Sequence, residues 1–114
     1  MAITSKKLLK YKKIKHYFFN KHGGVSRGIY KSLNCGIGSK DNKNDIRKNL
    51  KIVKRKMSKH SKSIFLVHQV HSNKFVFINK SFNLNKKSII ADAIITNQKK
   101  IPIAVLTADC VPIL

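Results

Sequence analysis

Apolar positions recur along this chain with two periods. From residue 42 to residue 59, Ile46, Leu50, Val53 and Met57 return at the spacing of one helical face, with lysines between them. That pattern predicts an amphipathic helix. Asp41 stands in front of it as the expected N-cap. Asp45 suits the positive N-terminal end, and Arg55 and the lysines suit the C-terminal half. Residues 63–71 follow the period of a strand instead. Phe65, Val67, Gln69 and His71 share one face, and Ile64, Leu66, His68 and Val70 share the other. Residues 14–20 have the aromatic content of a strand. Residues 74–79 predict a further strand, close enough behind 63–71 for a hairpin. A polar connection (80–87), a strand (89–96) and a turn (97–100) follow. The last apolar run, 101–114, is expected to be a buried strand that presents Asp109 and Cys110.

Two glycine-punctuated loops interrupt the first half, at residues 21–28 and 32–39. The pair Gly23-Gly24 allows a close backbone approach, to a ligand or within a tight turn, and its amides suit an anion-binding nest. The phosphate-binding pattern GxxxxGK[ST] is absent. The order of strand, helix and then several strands predicts an α+β fold, a mixed β-sheet with flanking helices. A chain of 114 residues suits one domain, read as 1–114, and not two.

Composition narrows the function. No apolar stretch approaches the roughly 18 residues of a spanning helix. Residues 1–15 are basic, without the apolar core of a signal peptide, so a cytoplasmic location with no membrane partner is expected. The formal charge is +21, from 25 Lys and Arg against 4 acidic residues. Such a balance points to nucleic acid. Yet the lysines are dispersed, and an excess of Lys over Arg with abundant Asn and Ile is what an AT-rich genome tends to encode. No specific nucleic-acid partner is expected; nonspecific polyanion binding would weaken with salt. Only Asp41, Asp45, Asp92 and Asp109 carry carboxylates. Without glutamate there is no HExxH metalloprotease site and no EF-hand. Cys35 and Cys110 lie far apart, which favours free thiols.

His71 and Cys110 are the sharpest chemical pair. Both are expected where apolar strands end. Imidazole and thiolate are good zinc ligands, but a catalytic zinc takes three protein ligands. As an alternative without metal, His71 would activate Cys110 as a nucleophile.

Five ordered blocks then give a family resemblance. They are Phe18-Phe19-Asn20-Lys21-His22-Gly23-Gly24-Val25-Ser26; Gly28-Ile29-Tyr30-Lys31-Ser32-Leu33-Asn34-Cys35-Gly36; Gln69-Val70-His71; Ala91-Asp92-Ala93; and Thr107-Ala108-Asp109-Cys110-Val111-Pro112-Ile113-Leu114. Together they resemble the bacterial laccase-domain, or multicopper polyphenol oxidase-like, family, now regarded as purine nucleoside phosphorylases that also deaminate adenosine. The resemblance runs from about residue 17 to the last residue. It implies a cysteine-hydrolase-like fold of about twice this length, so the chain is expected to be a C-terminally incomplete, N-terminal half. It implies His71 and Cys110 as ligands of zinc, or of copper. The third ligand would be the histidine of a downstream His-Ala-Gly-Trp-Arg-Gly block that has no counterpart here. It implies a catalytic and substrate-binding role for Lys21, where the family usually has arginine, and places Ser26 and Asn34 in loops lining the pocket. Asp109 is expected to orient ligands from behind. Cys35 replaces an aliphatic residue and is read as packing, and His68 matches no functional position.

The implied activity is phosphorolysis of adenosine, inosine and methylthioadenosine, with adenosine deamination as a second branch. Its partners are a purine nucleoside, phosphate and a separate C-terminal half; the fragment alone is expected to be inactive. A multicopper electron-transfer site is disfavoured, because the chain has 5 histidines without clustered metal spacing. Two other readings stay open: a basic nucleic-acid-binding module, and a metal-free Cys/His hydrolase.

Overall fold

A computed structural model describes residues 2–86 and 88–114. Met1 and Lys87, which belong to the expected basic N-terminal stretch and polar connection, lie outside them. The chain is a small mixed α and β structure, with one α-helix, two three-residue 3-10 helices and two two-stranded sheets among the described residues. Its contacts divide it into two compact units, one ending at Lys59 and the other beginning at His60.

In the first unit, β1 (Ala2–Ile3) pairs antiparallel with β2 (Phe18–Phe19), with Ala2 opposite Phe19. The strand expected over 14–20 is therefore reduced to two residues, matching the length of its partner. His16 is buried behind this ribbon, and its Nε2 accepts the Ser5 N–H at 2.8 Å. Helix α1 (Lys43–Met57) forms where the apolar period predicts it, with Ile46 and Val53 buried. The cap differs from expectation. Asn42 is the N-cap, its Oδ1 accepting from Asn44 N–H at 2.9 Å and Asp45 N–H at 3.3 Å. Asp41 is displaced from that role because its carboxylate faces the preceding loops.

The second unit departs further from the expected strands. Residues 63–71 form no regular strand and no hairpin with 74–79. They run extended and make isolated parallel bridges, Phe65 to Ile103 and His68 to Ile90. Four bonds carry these bridges: Phe65 N–H to Pro102 O at 2.8 Å, Ala104 N–H to Phe65 O at 3.1 Å, His68 N–H to Ile89 O at 2.8 Å and Ala91 N–H to His68 O at 3.2 Å. The strand after the turn, β3 (Phe75–Ile78), pairs with β4 (Ala93–Thr96) instead. That pairing is parallel and in register from Phe75–Ala93 to Ile78–Thr96. A parallel partner requires a long crossover, which residues 79–92 supply. Val67, Ile78 and Ala91 are buried, and Phe82 packs edge-on against Phe65 with centroids 5.6 Å apart. Of the two faces expected for 63–71, Val67 is buried on one, while His71 on that same face and His68 and Val70 on the other are exposed. The expected buried strand at the end is overturned: Cys110 is exposed, and Val111 and Ile113 are 84% and 86% exposed. Beyond Leu106 the described backbone makes no ladder with another segment. No described helix is long and apolar enough to cross a membrane.

Candidate functional site

The two glycine loops of the first unit are tied to α1 by one side chain. Asn49 is fully buried on the helix face that carries Ile46 and Val53. Its Oδ1 accepts the Val25 N–H at 2.8 Å. Its Nδ2 donates to Ser26 Oγ at 2.9 Å, Asn34 O at 2.8 Å and Ser32 O at 3.2 Å. The Ser26 hydroxyl, 3% exposed, donates in turn to Asp41 Oδ2 at 2.6 Å. Asn34 Nδ2 donates to the same oxygen at 3.0 Å and to Ser39 Oγ at 2.9 Å. These bonds, with Ser26 first, hold the Asp41 carboxyl below its ordinary range. An ionised acceptor suits two converging donors.

The Gly-Gly turn is a close approach of the chain to itself. A Cβ on Gly24 would lie 2.2 Å from the Ser32 carbonyl oxygen and 2.5 Å from the Leu33 Cα. Gly23 adopts φ 91°, a left-handed conformation open to glycine. The expected anion nest does not form as such, because the loop amides turn inward. Gly24 N–H donates to Ser32 Oγ at 3.2 Å, Val25 N–H to Asn49, and Ser26 N–H to Ser32 O at 2.9 Å. What the loop presents outward is cationic: Lys21 and Arg27 are exposed. The Lys21 carbonyl anchors the second loop, accepting Leu33 N–H at 2.8 Å, Ser32 N–H at 3.0 Å and the Ser32 hydroxyl at 2.9 Å. Burial pushes the Cys35 thiol up to about 11, which makes it a packing residue and a poor nucleophile.

In the second unit the short sequence blocks are joined by two side chains. The Gln69 amide acts as a surrogate strand: Nε2 donates to Leu106 O at 2.9 Å, and Leu106 N–H donates to Oε1 at 2.8 Å. It thereby fixes the segment leading to Asp109 and Cys110. Asp92 grips the turn at His71. Its Oδ1 accepts Val70 N–H at 3.1 Å and His71 N–H at 2.9 Å, and its Oδ2 accepts Ser72 N–H at 2.8 Å and Ser72 Oγ at 2.6 Å. The Ser72 hydroxyl and then its amide are the leading reasons that the Asp92 carboxyl falls to about 2. His71 adopts φ 61° and its side chain is exposed, as are those of Asp109 and Cys110. Both cysteines are free.

A zinc or copper ion would need more donors than these. Among the described residues, no three His, Cys, Asp or Glu side chains gather where they could hold a metal. His71 and Cys110 are two candidate donors, fewer than a metal centre takes from its protein. The described residues thus do not themselves fit a complete metal site.

Four residues of these networks escape sequence reasoning. Asn49 interrupts the apolar stripe of α1, and a polar residue at a core-facing position is the signal that marks it. Asp41 looks like a helix cap because it precedes the periodic segment. Gln69 lies on the inward face of an apolar run, again a polar residue among core positions. Asp92 is one of only 4 acids and sits between two alanines in an apolar segment.

The comparisons with known proteins agree with these blocks. The profile of the multi-copper polyphenol oxidoreductase laccase family matches residues 15–114. A purine nucleoside phosphorylase of Bacteroides thetaiotaomicron is 28% identical over 113 residues, covering 94% of this chain and 42% of that protein. One from Haemophilus influenzae is 33% identical over 103 residues, covering 90% and 40%. One from Bacillus subtilis is 29% identical over 104 residues, covering 84% and 37%. The chain thus spans about two-fifths of the length of these curated relatives.

Proposed function

The chain belongs to the multi-copper polyphenol oxidoreductase laccase family, and from that premise we propose that it is the N-terminal part of a purine nucleoside phosphorylase. The observation that carries the reading is the match over residues 15–114 to relatives that bear this name. The substrates of the reading are phosphate and adenosine, inosine or methylthioadenosine. A phosphate oxygen attacks the anomeric carbon of the ribose. The C–N bond to the purine breaks, its electron pair leaves with the base, and the base takes up a proton. The products are ribose 1-phosphate and free purine.

Each described element has a part in this reading. With the amides of Gly24, Val25 and Ser26 turned inward, phosphate binding falls to cationic side chains. Lys21 is the first of them, a point charge without the fork of an arginine. Ser26 and Asn34 shape the pocket wall by fixing the loop through Asp41 and Asn49. His71 and Cys110 face the reacting nucleoside or supply two of the donors to a metal, with Asp109 beside them; the third donor would come from a C-terminal portion. A metal held there would supply a Lewis acid for the deamination branch, adenosine to inosine. The same reading places the protein in the cytoplasm, gives the complete molecule a cysteine-hydrolase-like fold and treats 1–114 as part of one domain.

The test is phosphate-dependent release of free purine from the three nucleosides. It is run with the 114-residue chain alone, and with the chain supplemented by the C-terminal portion of the Bacteroides thetaiotaomicron relative. Expected is no turnover alone and turnover with the supplement. Robust phosphorolysis by the chain alone refutes its incompleteness. No phosphate-dependent release in either preparation overturns the reading.

A further inference from the structure

His71 occupies a backbone conformation that ordinary side chains avoid. At φ 61° a residue with a Cβ lies in the sparsely populated left-handed region, at a cost glycine does not bear. Ser88 and Lys100 adopt it too, so what sets His71 apart is the clamp around it. The strain persists because the turn is held from several sides. Three successive peptide N–H groups, of Val70, His71 and Ser72, converge on the Asp92 carboxylate at 3.1, 2.9 and 2.8 Å, and the Ser72 hydroxyl adds a fourth bond at 2.6 Å.

Asp92 is itself fixed. Its own N–H donates to the Lys74 carbonyl at 2.9 Å. The residue before it, Ala91, is buried and bonded to His68 O at 3.2 Å. The residue after it opens β4, in register with Phe75, the first residue of β3. The carboxylate is thus bolted to the parallel ladder and reaches back over the turn. Among the described residues the His71 imidazole has no hydrogen-bond partner and stands exposed. A rigid backbone base with a free side-chain tip is what a preorganised functional group requires.

We propose that Asp92 is the positioning residue for His71: its carboxylate holds the 70–72 turn in the left-handed conformation from which the imidazole is presented to the reacting nucleoside. This deepens the phosphorylase reading and rests on it for the role of His71. Asp92 touches the backbone of the turn and not the substrate, so its effect belongs to geometry and to the turnover step rather than to nucleoside affinity.

Two arms of one experiment test it and separate its failure from that of the reading. The first uses the 114-residue chain and needs no activity. Amide hydrogen exchange and His71 side-chain couplings are measured by NMR for wild type, Asp92→Ala, Asp92→Asn and Ser72→Ala. Expected for Asp92→Ala is loss of protection at Val70, His71 and Ser72 and rotamer averaging of His71, while the amides of β3 and β4 stay protected. Asp92→Asn, which keeps an acceptor but turns an NH2 toward a donor, should lie between. Should Asp92→Ala unfold the unit, Ser72→Ala removes the hydroxyl's bond to Asp92 and the one it accepts from the Lys74 N–H, leaves the three amide bonds to Asp92 possible, and should loosen the same three residues partially. Unaltered 70–72 exchange and His71 couplings in all three variants overturn the proposal.

The second arm uses the phosphorolytic preparation described above. Asp92→Ala should lower kcat on the order of 10- to 100-fold, the range a displaced catalytic group produces, with the KM for nucleoside nearly unchanged and partial recovery in Asp92→Asn. Full kcat with a demonstrably loosened turn overturns the proposal. Absence of wild-type phosphorolysis sinks the functional reading, and the NMR arm then decides the role of Asp92 alone.

Discussion

The two units of this molecule solve one problem, immobilising an irregular loop, with different chemistry. In the first unit a neutral amide on a helix does it. Asn49 is shut away from water, so each of its polar atoms must be matched, and Val25, Ser26, Ser32 and Asn34 match them. The described residues of the second unit form no helix, and an ionised carboxylate between a bridge and a strand does it. Asp92 gathers N–H and O–H donors only. An amide can join donors to acceptors and so tie two loops to each other. A carboxylate can only accept, so it gathers donors, those of one turn at Asp92 and those of two loops at Asp41. The first network ties two loops to a helix; the second fixes the backbone of a single turn.

The largest expected effect falls on the amide. Asn49→Ala leaves buried partners unmatched, and several lost bonds at 1–3 kcal/mol for each stranded group predict a loss of about 3 kcal/mol. Urea unfolding should record it, with exchange rising over residues 21–39 while β3 and β4 are unmoved. An effect spread equally over both units would break the distinction drawn between them.

A smaller loss belongs to the second unit. Gln69→Ala removes both bonds to Leu106, for a cost of about 1–2 kcal/mol. Amide exchange at Leu106 is the local readout, and unchanged protection there would show that the bridge at Phe65 and Ile103 suffices. Smaller again is Asn42→Ala, which deletes the cap of α1. A loss of about 1 kcal/mol is expected, seen as fraying of the first helical turn by circular dichroism and exchange, whereas Asp41→Ala should disturb the loops before the helix.

At neutral pH the Asp41 and Asp92 carboxylates are both ionised, and the pH responses of the two units separate only in acid. A carboxyl whose folded value lies below its unfolded value of 3.8 contributes stability that is complete above that value and is lost as pH falls through the folded value. For Asp92 the window runs from 3.8 down to about 2. Asp41 is also lowered, chiefly by Ser26, and loses its contribution as pH falls below its ordinary range. Amide shifts of His71 and Ser72 should follow the Asp92 window, and those of residues 26 and 34 should follow Asp41. Asp92→Asn should abolish the first set alone.

How far the sequence reaches can be judged residue by residue. The 3.6 period located α1, because burial of one helical face leaves a signature that needs no knowledge of what covers it. The same period hid Asn49, which looks like a lapse in the stripe until its partners are known. The alternation in 63–71 put Val67 and His68 on opposite faces, and the first is buried and the second exposed, but alternation says nothing about which segment pairs with which. Proximity in the chain suggested a hairpin. The Asp92 clamp on the intervening turn and the parallel register of Phe75 with Ala93 replaced it. The ordered blocks identified the family, since residue identities are what a family shares. Ser26, Asn34, Lys21, His71, Asp109 and Cys110 were named from those blocks. Their local settings, from the buried Ser26 hydroxyl to the exposed Cys110, were not legible.

Composition, period and motif order by themselves determined the family, the place of α1 and the lack of a long apolar stretch, because each depends on residue identity or on spacing within a few turns of chain. Tertiary structure alone decided the parallel pairing, the transfer of Asp41 from cap to loop anchor, and the grip of Asp92 on His71. The pairing turns on backbone groups that nearly every residue carries, and the roles of Asp41 and Asp92 on which donors their carboxylates meet in space, so the winning partner is set by which segments come together and is not written in the letters.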